Sequence, residues 1–283
     1  MGGFERRAPA CVAALAEVMV VSRPEEALGD SARTLIGTHD GSFHCDEALA
    51  CAMLKMLPRF RDAVIVRTRD PVALERCDIV VDVGAVYDAS RCRFDHHQRG
   101  FTGVMEEIGH STKLSSAGLV YRHYGGDVLE QLAESVRNTA SAPAEAAVDQ
   151  KALYRRIYRS FVEHIDGIDN GIEAHDGQKN YEVPTTLSSR VGALNPRWYE
   201  NPESHEMNQR FVAAMMLAGR EFSQAVEAAI NSWWPARSLV SAALDGAAAV
   251  HPSRQILLLS RACPWQSHLF QLEEELAVQG DKA

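Results

Sequence analysis

The sequence predicts an α/β fold: a parallel sheet with helices on both faces, followed by a mostly helical extension. Two observations carry this. Short β-branched runs alternate with a segment of helical period between residues 34 and 83, the spacing of a sheet covered by helices. The long stretches 204–232 and 264–276 then read as helices without intervening strands.

Thr34–Thr38 reads as a strand ending at His39. Asp46 opens a helix in which Leu49, Ala52, Met53, Met56 and Leu57 recur at three- and four-residue steps, and Pro58 stops it. Ala63–Thr68 and Asp78–Val83 are further strands. Ser115–Tyr124 and Asp127–Arg137 read as two helices parted by Gly125-Gly126, and residues 138–149 as a loop of small polar residues. Lys151–Ile165 is a helix striped by Leu153, Ile157, Phe161 and Ile165, running into an Asp166–Gly171 turn with two carboxylates. The expected organisation is a variable extension over 1–33, a metal-binding α/β domain over 34–195 and a helical extension over 196–283, with the boundary near Leu194-Asn195-Pro196.

Composition excludes several classes. The chain has 283 residues, 46% hydrophobic and 24% charged, as in ordinary globular proteins. No apolar run approaches the roughly 20 residues that span a bilayer, so no membrane partner is expected. The net charge of −9 argues against broad electrostatic adhesion to nucleic acid. Residues 59–99 nevertheless carry eight arginines and no lysine, suited either to phosphate or to a solvated face shared with seven acids. Six cysteines without a close pair point to a reduced, intracellular protein. The N-terminal stretch mixes Arg6, Arg7 and an alanine-rich run with Glu5, Glu17, Glu25, Glu26 and Asp30, an uncharacteristic composition for a presequence.

The chemistry concentrates in three clusters at predicted strand ends: His39 with His44 and Asp46, then Asp82, then Asp95-His96-His97. Ligands bind beyond the carboxyl ends of strands in parallel sheets, so His39 and Asp82 belong in one site. Taken singly, His39 reads as structural and Asp46 as a helix N-cap. Asp82 between valines resists such a reading, because an unpaired carboxylate at a buried strand end is costly. Together with Asp166 and Asp169 these groups suit a two-ion centre of magnesium or manganese type. Signatures of zinc proteases, of nucleophilic serine hydrolases and of Walker-type phosphate loops are absent. Ser115-Ser116-Ala117-Gly118 at a helix start is either a plain cap or an anion site.

Asp95-His96-His97 with Asp82 upstream resembles the DHH phosphoesterase superfamily. A closer similarity is to the exonuclease family of the melanocyte proliferating gene product. It runs through His39 and Gly41 to Cys51, Val66 to Pro71, Cys77 to Gly84, Asp95 to Arg99, Lys113 to Gly118, Asp166 to Gly171, Leu194 to Pro196, Trp233 to Arg237 and Ala262 to Trp265. The resemblance implies a metal-dependent 3′–5′ exoribonuclease using two manganese or magnesium ions. One ion would be held by His39, His44 and Asp82, the other by Asp46, Asp82, His96 and a carboxylate from Asp166 or Asp169. Asp82 would bridge, Asp95 would orient a histidine and His97 would face the phosphate, making Asp82, Asp95 and His97 the catalytic set. Arg67, Arg69, Arg99, Lys113, Ser115 and Ser116 are the candidate substrate contacts. RNA is the implied partner, a homo-oligomer is compatible with the sequence, and the resemblance implies nucleus and mitochondrion.

Two departures stand out. Asp40 replaces an expected asparagine, and the chain stops at Ala283 where family members continue, so a shortened second domain is expected. The alternatives are a small-molecule or short-oligonucleotide phosphoesterase, and a catalytically weak metal-binding regulatory protein.

Overall fold

The computed structural model describes residue 12 and residues 14–27, 33–139 and 148–280. Six strands, β1 (Val20–Val21), β2 (Leu35–Thr38), β3 (Val64–Arg67), β4 (Ile79–Val81), β5 (Tyr87–Asp88) and β6 (Arg93–Phe94), form one sheet in the order β1–β3–β2–β4–β6–β5. Every neighbouring pair is parallel except β5 and β6. Successive strand side chains point to opposite faces. Ile36, Ile65, Ile79 and Val81 join one hydrophobic core, while Leu35, Val64, Val66 and Val80 join a second. Each face needs its own cover, and helices lie on both, as the sequence predicts.

On the larger core the central helix is α1 (Cys45–Met56), whose twelve residues are all buried. Apart from Asp46, Glu47 and Lys55 the helix is apolar on every side, as an interior helix is, and it lies among the sheet and two long helices. After α2 (Pro71–Glu75), which packs Ala73 and Leu74 inward, those long helices are α3 (Ser116–Thr139) and, further on, α7 (Ser204–Ala228). Between them come α4 (Gln150–Ile157), α5 (Glu163–Asp169) and α6 (Leu187–Gly192); α8 (Trp234–Asp245) and α9 (Gln266–Gly280) follow. Short π-helical segments, Tyr158–Val162 and Ala229–Trp233, join α4 to α5 and α7 to α8.

Three differences from the sequence reading have physical causes. The two expected helices around Gly125-Gly126 are one: a Cβ on Gly125 would lie 2.9 Å from the Tyr121 ring, so that glycine permits close packing and does not end the helix. The helix expected to finish at Ile165 continues to Asp169, which puts both carboxylates of the expected turn on the last helical turns. Val20–Val21, inside the stretch read as a variable extension, pairs with β3 as an edge strand. Of the expected 138–149 loop, residues 140–147 lie outside the described residues, as does most of the ambiguous N-terminal stretch. Among the described residues no helix is long and apolar enough to cross a membrane.

Candidate metal centre

Because β3, β2, β4 and β6 run parallel and side by side, their carboxyl ends form one edge. Along that edge stand Arg67, His39, Asp82 and Asp95. Asp82 follows β4 with φ +56, a backbone state that few residues other than glycine adopt, though aspartate tolerates it. Strain of this kind gathers at functional sites.

His39 and Asp46 are carried by the two ends of one loop, and its bracing explains their placement. The buried Arg67 side chain donates from Nε to the His39 carbonyl at 3.2 Å and from Nη2 to the Gly41 carbonyl at 2.7 Å. It also lies over the Phe211 ring, 4.7 Å from the centroid. Asn195 pins the same loop by accepting from the Phe43 N–H and donating to the Phe43 carbonyl. At the start of α1 the Glu47 carboxylate accepts from the His44 N–H at 2.8 Å, a helix-capping bond, and approaches His39 Nε2 at 2.9 Å.

The donors converge on Asp82. Its oxygens lie 3.4 Å from His39 Nε2, 3.5 Å from His96 Nδ1 and 3.3 Å from His97 Nδ1. His96 Nε2 reaches Asp169 Oδ2 at 2.9 Å. Three groups of closely spaced donor atoms result: His39, His44, Glu47 and Asp82; Asp82, Asp95, His96 and His97; and His44, Asp46 and Asp169. Asp82 belongs to the first two and His44 to the first and third, so the three are continuous. Asp95 accepts from the Ala85 N–H and lies 2.9 Å from His97 Nδ1, which orients that histidine. The His97 side chain is 61% exposed and marks the solvent side of the centre.

The two α5 carboxylates part company. Asp166 is buried, and both its oxygens are occupied. Oδ1 accepts from the Ser115 N–H and hydroxyl and from the Gly118 N–H, and Oδ2 accepts from the Tyr158 hydroxyl. Of the two carboxylates expected as alternative ligands it is the one outside the three donor groups. Asp169 is the member that faces His96.

Ser115 and Ser116 were expected to touch substrate, but both are buried. Ser115 serves Asp166, and the Ser116 hydroxyl donates to Asp46 Oδ2 at 2.7 Å. Arg67, expected at substrate, is likewise turned inward onto loop carbonyls. Arg69 is exposed and 3.3 Å from Asp40, Arg99 is exposed, and Lys113 is half-buried with its ammonium 5.8 Å from the Phe101 centroid.

Burial raises the Asp46 carboxyl above its ordinary range, and the neighbouring Asp169 adds to this. Burial also raises Glu47, against the pull of His39. Burial alone would lower His39, yet hydrogen bonding to Asp82 and Glu47 lifts it to about 10. His97 rises to about 9, chiefly through the close approach of the Asp82 carboxylate. Carboxylates crowded in a buried site call for a cation.

The unpartnered atoms say the same. His39 Nδ1, Asp46 Oδ1, Asp82 Oδ1, His96 Nδ1 and Asp169 Oδ2 are buried without a well-formed hydrogen bond, the imidazole–carboxylate approaches of 2.9–3.5 Å falling outside hydrogen-bond geometry, a costly arrangement for these groups. Oxygen donors with imidazole fit a divalent ion of the magnesium–manganese type. Glu47 and Asn195 were not among the expected site residues. Glu47 had a local signal, a second carboxylate beside Asp46 on the same helix start; Asn195 lies in the Leu194–Pro196 stretch that carries the family resemblance, but nothing local marks its bond to Phe43.

No solved structure matches the chain. Residues 35–283 match a family described as "Uncharacterised protein family (UPF0160)", whose model is named for the MYG1 exonuclease. A MYG1 protein of Caenorhabditis elegans is 48% identical over 252 residues, covering 88% of this chain and 71% of that protein. The MYG1 exonuclease of Bos taurus is 45% identical over 280 residues, covering 97% and 70%. The MYG1 exonuclease of Homo sapiens is 48% identical over 248 residues, covering 86% of this chain and 63% of its own length. This chain therefore spans between 63% and 71% of these relatives. On the extent of both matches, it belongs to the MYG1 exonuclease family.

Proposed function

We propose that the chain is a divalent-metal-dependent phosphodiesterase acting on RNA as a 3′–5′ exoribonuclease, with two manganese or magnesium ions. The observation that carries this reading is the position of Asp82, shared by two groups of donors and bearing a buried oxygen without a well-formed hydrogen bond, as suits a bridging carboxylate. His39, His44 and Glu47 would complete one ion's ligands, and Asp46, His96 and Asp169 the other's. When bound, such a pair polarises a phosphodiester and acidifies water. The names of the cattle and human relatives support an exonuclease.

The chain's own groups divide the remaining work. Arg67, Asn195 and Ser116 fix the ligand loop and Asp46, so the donors are preorganised. His97, held by Asp95 at the exposed rim, is placed to face the departing oxygen. Arg69, Arg99 and Lys113 remain candidates for contact with RNA phosphates. Nuclear and mitochondrial placement belongs to this reading through the family resemblance.

The test is a manganese-dependent digestion of 5′-labelled RNA. Stepwise shortening to labelled intermediates, abolished by Asp82→Asn, is the expected result. Immediate release of a labelled mononucleotide would contradict the direction, and digestion undiminished by Asp82→Asn would contradict the centre.

A further inference from the structure

Three residues beyond Asn195, Trp198 is 95% exposed and Tyr199 is 63% exposed. Two adjacent aromatic side chains in solvent forgo a large hydrophobic gain. Nothing about the segment forces this through looseness, because the turn that presents them is tied at both ends. Glu200 N–H donates to the Arg197 carbonyl at 2.9 Å, and the Arg197 N–H donates back to the Glu200 carboxylate at 2.9 Å. Arg210 Nη1 donates to that carboxylate at 3.0 Å from α7. Trp198 and Tyr199 are thus the two central residues of a pinned turn, with ring centroids 5.6 Å apart at 86°.

The turn is also tethered to the metal centre. Asn195 bonds both backbone groups of Phe43, the neighbour of His44. Three residues span at most about 11 Å, so the aromatic pair stands within a few nucleotides of the donors. The charge balance makes an uncharged foothold useful. A chain of net charge −9 holds a polyanion poorly through long-range attraction. Stacking on base faces is insensitive to that charge and tolerant of sequence, and the one acid in the turn, Glu200, is paired with Arg210.

We infer that Trp198 and Tyr199 form a base-stacking platform for single-stranded RNA leading into the metal centre. This rests on the nuclease reading and assigns part of its substrate recognition to residues outside the donor set.

The test uses the full chain with manganese and a fluorescent, phosphorothioate-linked oligouridylate that resists cleavage, binding being read by anisotropy. Trp198→Ala is expected to raise Kd by roughly 5- to 150-fold, the worth of one stacked base, and Tyr199→Ala to raise it less. Trp198→Phe should restore most of the affinity. In parallel, hydrolysis of bis(p-nitrophenyl) phosphate, which carries no base, should be the same in all variants. An unchanged Kd in Trp198→Ala overturns the platform, as does a Trp198→Ala chain that loses ester hydrolysis in step with binding. Intact oligouridylate binding that depends on Trp198, with no ester hydrolysis by the unaltered chain, would support the platform and count against the phosphodiesterase.

Discussion

Asn195 brackets Phe43: its Oδ1 accepts from the Phe43 N–H at 3.0 Å and its Nδ2 donates to the Phe43 carbonyl at 2.7 Å. One amide side chain so satisfies both polar groups of a buried residue and fixes the loop that carries His39 and His44. Removing it by Asn195→Ala is expected to cost about 1–3 kcal/mol, since both backbone groups lose their partner. Asn195→Asp keeps an acceptor but no donor and should recover only part of this. Urea denaturation measures the loss, and a manganese titration of the folded variant should show weakened binding.

Gly118 and Gly126 lie on one helix and should respond oppositely to alanine. A Cβ at Gly118 would fall 2.4 Å from both Asp166 oxygens, so Gly118→Ala must displace a buried, fully bonded carboxylate. Such overpacking with loss of a network costs upward of about 3 kcal/mol. At Gly126 nothing lies within 4 Å, and alanine there should stabilise by about 0.5–1 kcal/mol through helix propensity. Thermal melts of the two variants check the pair; equal effects would contradict the packing described.

Asp166 and Asp169 should separate stability from metal binding. Asp166→Ala leaves the Ser115, Gly118 and Tyr158 donors without their acceptor and is expected to destabilise by upward of about 3 kcal/mol, at about 1–3 kcal/mol for each buried donor left unsatisfied. Asp169→Asn removes a like charge from beside Asp46, so its fold should hold, while manganese affinity falls by at least about 10-fold. Calorimetric titration beside chemical denaturation distinguishes the two; a stable Asp166→Ala chain with lost metal would reverse the assignment.

How much of this was legible in sequence follows from distance along the chain. His39, Asp82 and Asp95 follow β-branched runs, and the rule that parallel strands end on one edge was enough to gather them. Asp166 and Asp169 sit three residues apart, about 60° around a helix axis, and only packing against Ser115 and Gly118 decides which turns inward. Arg67 lay in an arginine-rich stretch and read as phosphate-facing or solvated, because nothing local shows that its guanidinium meets Phe211. Glu47 stood inside the motif with an ordinary capping position. The Asn195–Phe43 contact spans 152 residues and leaves no local trace.

Metal binding should expel protons. Burial raises both Asp46 and Glu47. For carboxyls raised in the folded state, the stability they contribute to the metal-free protein is fully present below their ordinary range, near pH 4, and is lost as pH rises through the folded values. Cations favour the ionised forms, so manganese affinity should rise with pH over that interval and binding should release protons. Titration calorimetry in buffers of different ionisation enthalpy measures the release; an enthalpy independent of buffer would contradict it.

The central claim is that one continuous set of donors, joined through Asp82, holds a pair of divalent ions. Manganese stoichiometry of the unaltered chain and of Asp82→Asn, read on folded protein by paramagnetic resonance of the unbound ion, tests it most directly. The account predicts about two ions per chain and loss of tight binding at both positions in Asp82→Asn. No manganese uptake by the unaltered chain, or an unchanged stoichiometry in Asp82→Asn, would contradict it.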